Sequence, residues 1–139
     1  ASETAVFGQV GPKVGSVDPG FGTAYLAQIV GEKKAREIWY LCRRYSAHQA
    51  EAMGLVNAVV PDDELDAEVE RWCAEICQRS PTALQIAKSS FNAGTDHIRG
   101  IGRMGFEAVN LFYETEEAKE GGLAFREKRT PEFRDKRIG

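Results

Sequence analysis

A run of glycines and prolines near the amino terminus is the feature that most restricts how this chain can fold. Residues 7–22 contain five glycines and two prolines, so neither a helix nor a strand can continue through them. The run carries only two charged side chains, Lys13 and Asp18, and most of its other side chains are apolar. A flexible linker would be rich in serine and charge, whereas this composition is typical of an ordered loop. Because glycine lets a backbone approach a ligand closely, the loop and its single carboxylate predict a functional site.

The composition is that of a globular chain with enough residues for one domain. Apolar residues make up 42% of the 139 positions and charged residues 28%, which excludes a disordered chain. The formal net charge of −3 argues against a nucleic-acid partner, and no apolar run approaches the roughly 20 residues that a membrane helix needs. The three cysteines suggest no disulfide framework and fit a reducing cytoplasm. No group of histidines and cysteines has the spacing of a metal site, so we expect no bound metal.

The spacing of apolar residues predicts two strands and a series of helices. Strands are predicted at residues 5–7 and at residues 55–60, the second because it is β-branched and bounded by glycine and proline. Helices are predicted at 23–30, at 33–43 and after Ser46, where Gln49 holds the capping-box position. From residue 62 onward four amphipathic helices are expected, two of them opened by the caps Ser80 and Thr115.

Two observations suggest that the sequence is a portion of a longer protein. It begins with Ala1 rather than methionine, and two strands alone cannot form the sheet that the first third of the chain would need. Charge is also uneven, since residues 62–75 carry seven acids against one base and residues 126–137 carry six bases against three acids. The basic tail is either a solvated surface or an anion site.

The glycine-rich loop fits none of the common nucleotide or hydrolase motifs. It has no G-K-[ST] run for a phosphate loop, and Tyr25 replaces the third glycine of a dinucleotide fingerprint. No nucleophile elbow occurs, and no histidine lies near Ser16 in the sequence. The remaining parts are bare amides, one hydroxyl and the carboxylate of Asp18, which together can polarise a carbonyl, hold an anion or move a proton. An enzyme, an anion-binding module and an oligomerisation domain all remain open on this basis.

Residues 7–20 resemble the second active-site loop of the crotonase superfamily, and in particular of two related families within it. These are the 2-ketocyclohexanecarboxyl-CoA hydrolases and the 1,4-dihydroxy-2-naphthoyl-CoA (naphthoate) synthases. The resemblance continues through residues 31–40, 52–57, 80–83 and 127–129 and spans nearly the whole chain. Residues 16–20 and 63–69 look more like the hydrolases, whereas naphthoate synthases usually have a Phe-Asp-Gly-Gly-type run at positions 17–20.

The resemblance implies an α/β fold, namely the C-terminal portion of a crotonase spiral followed by a helical trimerisation region. Residues 1–61 would belong to the spiral core with the active-site loop, and residues 62–139 to the helical region that mediates oligomerisation and contacts CoA. The expected assembly is a homotrimer or a dimer of trimers in the cytoplasm. Both oxyanion-hole amides of such an enzyme lie in an N-terminal half outside this sequence. We therefore expect the sequence alone not to be a competent catalyst.

The resemblance also implies roles for eight residues in a reaction on a CoA thioester that passes through an enolate. Asp18 matches the catalytic aspartate, Ser16 a substrate-binding hydroxyl and Tyr113 a tyrosine that reaches in from the helical region. Gly11 matches a position that leaves room for bicarbonate acting as a base. Four further positions match binding residues: Gln9 and Trp39 in the bicarbonate pocket, and Phe125 and Lys128, which would contact the adenine end of CoA from a neighbouring subunit.

Structural alternatives exist for several of these residues. Gly11 would also suit the turn before Pro12, and Trp39 lies on the predicted buried stripe of its helix. Tyr113 would serve equally well as a packing residue. Asp18 has the fewest alternatives, since an acid in a largely apolar loop has little structural purpose except as a turn cap.

Overall fold

The computed structural model describes residues 1–18 and 20–136, so Pro19 of the loop motif and Arg137 of the basic tail lie outside the described residues. Two short strands, β1 (Val6–Phe7) and β2 (Tyr45–Ser46), pair in antiparallel register with Val6 opposite Ser46. The described residues form these α-helices: α1 (Ala24–Val30), α2 (Glu32–Leu41), α3 (Ala47–Ala52), α4 (Leu65–Cys77), α5 (Pro81–Ala93), α6 (Arg99–Tyr113) and α7 (Glu116–Glu127). Single 3₁₀ turns lie at Pro12–Val14, Asp62–Glu64, Asp96–Ile98 and Arg134–Lys136.

The chain divides into two compact units that interleave along the sequence. The first unit, Ala1–Phe7 with Tyr45–Arg99, contains the strand pair and helices α3 to α5. The second, Gly8–Arg44 with the chain from Gly100 onward, contains the glycine-rich loop, α1, α2, nearly all of α6, and α7. This division differs from the functional boundary at residue 61 that the resemblance implies. That boundary stays a prediction.

The first unit is organised around the capped helix α3. The Ser46 hydroxyl accepts a hydrogen bond from the Gln49 amide at 3.3 Å, and the Gln49 side chain accepts one from the Ser46 amide at 2.9 Å. This confirms the predicted capping box, which satisfies two amides that the first helical turn leaves unpaired. Ala47 and Ala50 are fully buried and Tyr45 is nearly so, which fixes the helix against the strand pair.

The predicted strand at residues 55–60 is wrong. The segment contributes only an isolated parallel bridge between Ser2 and Val60, held by Val60 N–H to Ala1 O at 3.1 Å and Glu3 N–H to Val60 O at 2.8 Å. A β-branched run becomes a strand only when a neighbouring strand accepts and donates its backbone hydrogen bonds. Among the described residues, only the first three positions of the chain provide such a partner.

Helices α4 and α5 have the predicted caps and periodicity, but their apolar faces are exposed. The Ser80 hydroxyl accepts from the Ala83 amide at 3.3 Å and Pro81 occupies the first turn of α5, as the sequence predicts. Large apolar side chains on the two helices nevertheless remain open to solvent, including Val69, Trp72, Ile76, Ile86 and Phe91. None of the described helices is long and apolar enough to cross a membrane.

The second unit has its core where α1 packs against α2. Ala35, Ile38 and Trp39 form the predicted buried stripe of α2 and are each at most 8% exposed. The stripe was expected to extend to Cys42, but α2 ends at Leu41 and Cys42 adopts a left-handed backbone with φ of 48°. The Cys42 amide still donates to Ile38 O, so this residue closes the helix instead of continuing it.

Helix α7 approaches the glycine-rich loop through a contact between two glycines. A Cβ placed on Gly15 would lie 2.9 Å from Gly121 Cα, and a Cβ on Gly121 would lie 2.7 Å from Gly15 Cα. Gly15 also has φ of 67°, which side-chain-bearing residues rarely adopt. The backbones of the loop and of α7 can therefore meet only because both positions lack side chains.

We predict that Gly121→Ala and Gly122→Ala have opposite effects on stability. The added methyl of Gly121→Ala would overlap the loop backbone and lower the free energy of unfolding by about 1–3 kcal/mol. A Cβ on Gly122 meets nothing within 4 Å, so that variant should gain about 1 kcal/mol of helix propensity. Urea unfolding of both variants measures the difference, and equal midpoints would contradict the docked loop.

Candidate functional site

The carboxylate of Asp18 is the centre of the glycine-rich loop. Its Oδ1 accepts hydrogen bonds from the Gly20 amide at 3.0 Å and the Gly22 amide at 3.1 Å, and its Oδ2 accepts from the Thr23 amide at 2.6 Å. These three amides precede α1, so the side chain folds the loop back on itself and leads it into the helix. The turn-cap role that the sequence left open for Asp18 is therefore present in the structure.

These hydrogen bonds determine the charge state of Asp18. Partial burial raises the pKa of the carboxyl, but hydrogen bonds from the Thr23 side chain and from the Thr23, Gly20 and Gly22 amides outweigh it and bring the pKa below its usual range. The group is consequently an anion at neutral pH. An anion held by fixed donors can stabilise a positive charge or accept a proton, but it is a weaker base than a free carboxylate.

Trp39 of α2 lies against the loop at two points. Its indole Nε1 donates to Gly22 O at 3.2 Å, and a Cβ on Gly22 would lie 3.1 Å from both Trp39 Cζ2 and Asp18 Oδ1. On another edge of the same ring, a Cβ on Gly11 would lie 3.1 Å from Cζ3 and 3.2 Å from Ser16 O. The indole therefore occupies the direction in which a side chain at position 11 would extend.

Two hydroxyl groups join the loop to α6. Ser16 Oγ and Tyr113 OH lie 2.9 Å apart, within hydrogen-bond distance, although 97 residues separate them in the sequence. Tyr113 is the last residue of α6 and is 53% exposed, and the contact with Ser16 orients its hydroxyl. A groove of about 370 Å³ contains both residues and the ring of Phe125. The structure thus brings together a pair of proton-carrying groups that the sequence could only list separately.

A second contact fixes the other end of the loop to α6. A Cβ on Gly20 would lie 2.8 Å from Gly102 Cα, and a Cβ on Gly102 would lie 2.8 Å from the Phe21 ring. Gly102 is buried, whereas Gly100 on the same helix has nothing within 4 Å of its Cβ direction. The sequence analysis missed the roles of Gly102 and Gly121, and their only signal was the presence of glycine inside otherwise helical segments.

Phe125 and Lys128 lie at the carboxyl end of α7, beside a groove of about 590 Å³. The groove is also lined by Lys13 of the loop and by residues 129–131 and 133 of the tail. The Phe125 ring is 73% exposed. Lys128 caps the helix in a left-handed conformation with φ of 55°. An exposed ring between two lysines suits a ligand that is both aromatic and anionic.

One buried charge was missed altogether in the sequence. Glu120 is 5% exposed, and its two oxygens accept from Arg129 Nη1 at 2.5 Å and Arg129 Nη2 at 3.0 Å. The Glu132 amide also donates to Glu120 Oε1 at 2.9 Å. The Arg129 side-chain hydrogen bonds and the Glu132 amide lower the pKa of Glu120 to about 2. This pair ties the tail to α7 next to the groove.

The structure places the remaining predicted residue, Gln9, half-buried at the start of the loop and in the same unit. Within the described part of the chain, no group of three or more histidine, cysteine, aspartate or glutamate side chains is placed to hold a metal ion. The groups that contact the Asp18 carboxylate are the backbone amides of Gly20, Gly22 and Thr23 and the Thr23 side chain.

Comparison with known proteins identifies relatives of this chain. Residues 1–136 match the model of the enoyl-CoA hydratase/isomerase family. An enoyl-CoA hydratase from Mycobacterium avium subsp. paratuberculosis K-10 is 32% identical with a TM-score of 0.86, and the match covers 95% of this chain and 54% of that one. A carnitinyl-CoA hydratase from Mycobacterium avium is 27% identical with a TM-score of 0.87, covering 98% and 54%. A methylmalonyl-CoA decarboxylase is 25% identical with a TM-score of 0.77, covering 95% and 53%.

The chain thus spans about half the length of the solved structures it matches. The similarity confirms the expected fold, the C-terminal helical part of the crotonase architecture, and it confirms the superfamily. It does not distinguish a ring-opening hydrolase from a naphthoate synthase.

We predict that Asp18→Asn destabilises the chain at neutral pH but not in acid. The side-chain NH2 group of asparagine is itself a donor and cannot accept hydrogen bonds from the backbone amides. Loss of this cap should lower the free energy of unfolding by about 1 kcal/mol. The folded-state pKa of Asp18 lies below the unfolded value, so its stabilisation is complete above the unfolded pKa of about 4 and is lost as pH falls through the folded pKa.

Urea unfolding between pH 7 and pH 2.5 measures this difference. The gap between the wild-type protein and Asp18→Asn should be largest at pH 7 and should close below pH 4. A gap that stays constant across this range would contradict the hydrogen-bonded carboxylate.

Proposed function

This chain belongs to the enoyl-CoA hydratase/isomerase family, and from that premise we propose that it forms the C-terminal half of an enzyme acting on a CoA thioester through an enolate. We propose further that the substrate is a ring carrying a β-keto thioester and that the enzyme opens this ring with water. The observation that carries the proposal is the 2.9 Å contact between the Tyr113 hydroxyl of α6 and the Ser16 hydroxyl, which is on the same loop as the anionic Asp18. A reaction of this kind needs both a proton acceptor and a proton donor.

Ring opening assigns a step to each group. Asp18 accepts a proton from water as the oxygen adds to the ring ketone. The bond between the ketone carbon and the thioester α-carbon then breaks, and its electron pair forms the thioester enolate. Tyr113, oriented by Ser16, delivers its hydroxyl proton to the α-carbon. The proton that Asp18 took from the water then passes to Tyr113 and restores its hydroxyl. The product is a single open-chain thioester that carries a free carboxylic acid at its other end, so one water is consumed and no electron is gained or lost.

The ring-closing reaction of a naphthoate synthase is the second candidate. In that reaction the enolate attacks a carboxyl group and water leaves, and bicarbonate beside Gly11, Gln9 and Trp39 would act as the base. A Cβ placed on Gly11 would lie 3.1 Å from the Trp39 ring and 3.2 Å from the Ser16 carbonyl oxygen, so a side chain at this position would be crowded. Ring opening that uses Asp18 as the base needs no bicarbonate, so for that reaction we expect the rate not to depend on added bicarbonate.

The groove beside α7 supports CoA as the carrier. Its ring at Phe125 and its cation at Lys128 are suited to adenine and phosphate, respectively. We propose that these residues bind the nucleotide end of CoA and that the assembly is a homotrimer or a dimer of trimers. The exposed apolar residues of α4, α5 and α6 support an oligomer, since monomers rarely leave so many uncovered.

We predict that Tyr113→Phe lowers kcat by at least about a hundredfold in the whole protein that carries this chain. The variant removes one hydroxyl that contacts only Ser16 among the described residues, so the loss falls on proton transfer rather than on stability. Tyr40→Phe is the matched control, because its exposed hydroxyl accepts a hydrogen bond from Arg36 outside the site. Equal turnover by Tyr113→Phe and wild type would contradict the assignment.

The substrate is decided by assaying the whole protein with 2-ketocyclohexanecarboxyl-CoA and with o-succinylbenzoyl-CoA, each in degassed buffer with and without bicarbonate. We expect turnover of the first compound without bicarbonate. Turnover of the second alone, increased by bicarbonate, would identify the ring-closing reaction instead. Turnover of neither, together with no CoA binding in calorimetry, would support a non-catalytic oligomerisation or anion-binding chain.

A further inference from the structure

The ion pair between the buried Glu120 and the exposed Arg129 lies at one side of the groove that is lined by Phe125 and Lys128. Glu120 is the one charged side chain that is buried among the described residues, and each of its oxygens has a partner. A buried carboxylate is costly unless it is paired and hydrogen-bonded, as this one is. The pair therefore offsets the burial of Glu120 at the point where α7 ends.

The pair determines where the chain goes after α7 ends. Lys128 reverses the helix with its left-handed backbone, and the very next residue, Arg129, is returned to the helix by Glu120. The Arg129 amide donates to Ala124 O at 3.1 Å, and the Glu132 amide donates to Glu120 at 2.9 Å. The segment from Lys128 to Glu132 is thus fixed at both ends to one turn of α7. A left-handed lysine is unfavourable by itself, so this anchoring maintains it.

The guanidinium of Arg129 is largely engaged within the chain, since four of its five N–H donors have partners. Besides Glu120, it donates from Nε to Glu127 Oε2 at 2.7 Å and from Nη1 to Thr130 O at 3.3 Å. Lys13 and Lys128 differ, since neither ammonium group pairs with a described residue. The cations that line the groove and remain able to meet an anion are therefore these two lysines.

We propose that Glu120 and Arg129 are positioning residues for the nucleotide end of a CoA thioester, acting through Lys128. The inference rests on the proposed function, because it assumes that CoA occupies this groove. The ion pair supports the left-handed backbone of Lys128, together with the hydrogen bonds of its amide to Ala124 O and Phe125 O, so less of this segment has to be ordered when a phosphate binds. Breaking the pair weakens binding of the phosphate and leaves the chemistry at Asp18 and Tyr113 unchanged.

The test compares two thioesters of the same acyl group in the whole protein, one of CoA and one of N-acetylcysteamine, which lacks the nucleotide. Glu120→Gln should raise KM for the CoA thioester about tenfold and leave kcat unchanged. A tenfold change is the size expected for the loss of one charge-assisted hydrogen bond. KM for the truncated thioester should not change. Glu116→Gln is the matched control, because it removes the same charge from an exposed ion pair with Lys119 on the same helix.

A double-mutant cycle shows whether the pair acts through Lys128. Lys128→Ala should raise KM for the CoA thioester, and adding Glu120→Gln to it should raise KM no further. Additive effects, or equal effects on both thioesters, would show that the pair only maintains the fold. If Glu120→Gln does not fold, Arg129→Lys keeps the charge but loses the two-pronged contact, and the same cycle applies. A wild-type protein that neither binds nor turns over CoA thioesters would instead overturn the proposed function.

Discussion

The hydrogen bonds from three backbone amides to the carboxylate of Asp18 are the interaction on which the candidate site depends. They convert a glycine-rich segment, which has many accessible conformations, into a single turn that leads into α1. The same bonds keep the carboxylate ionised, so one interaction sets both the shape and the charge of the loop. A structural and a chemical role for Asp18 are therefore not alternatives, and a variant at this position changes both.

Glycines allow three helices to pack closely against the turn and hold it in place. Gly11 and Gly22 permit contact with Trp39 of α2, Gly15 meets Gly121 of α7, and Gly20 meets Gly102 of α6. Each contact brings a backbone or a ring to a distance at which a Cβ would collide. The helices thus fix the loop by close packing, and the hydroxyl of Tyr113 reaches Ser16 because that packing is tight.

How much could be predicted from the sequence depended on how local each feature is. The caps at Ser46 and Ser80 follow from residues three positions apart, and the structure has them. The strand at residues 55–60 failed because strand formation depends on a distant partner that the local pattern does not reveal. The Glu120–Arg129 pair could not be predicted, since its two members meet only after the left-handed turn at Lys128 reverses the chain.

The resemblance of the loop to known families supplied what the local pattern could not. Composition left an enzyme, a binding module and an oligomerisation domain open, and it was the family match over residues 1–136 that identified the superfamily. The geometry then added what a family match does not contain: an anionic Asp18, a hydroxyl pair and an indole packed against Gly11.

The pKa of Asp18 tests the central claim most directly. A ¹³C NMR titration of its side-chain carboxyl carbon, assigned by comparison with Asp18→Asn, reports the group by itself. The hydrogen-bonded loop predicts a midpoint clearly below the value of about 3.9 for an unperturbed aspartate. A midpoint at or above that value would mean that the three amides do not hold the carboxylate, and the account of the site would be wrong.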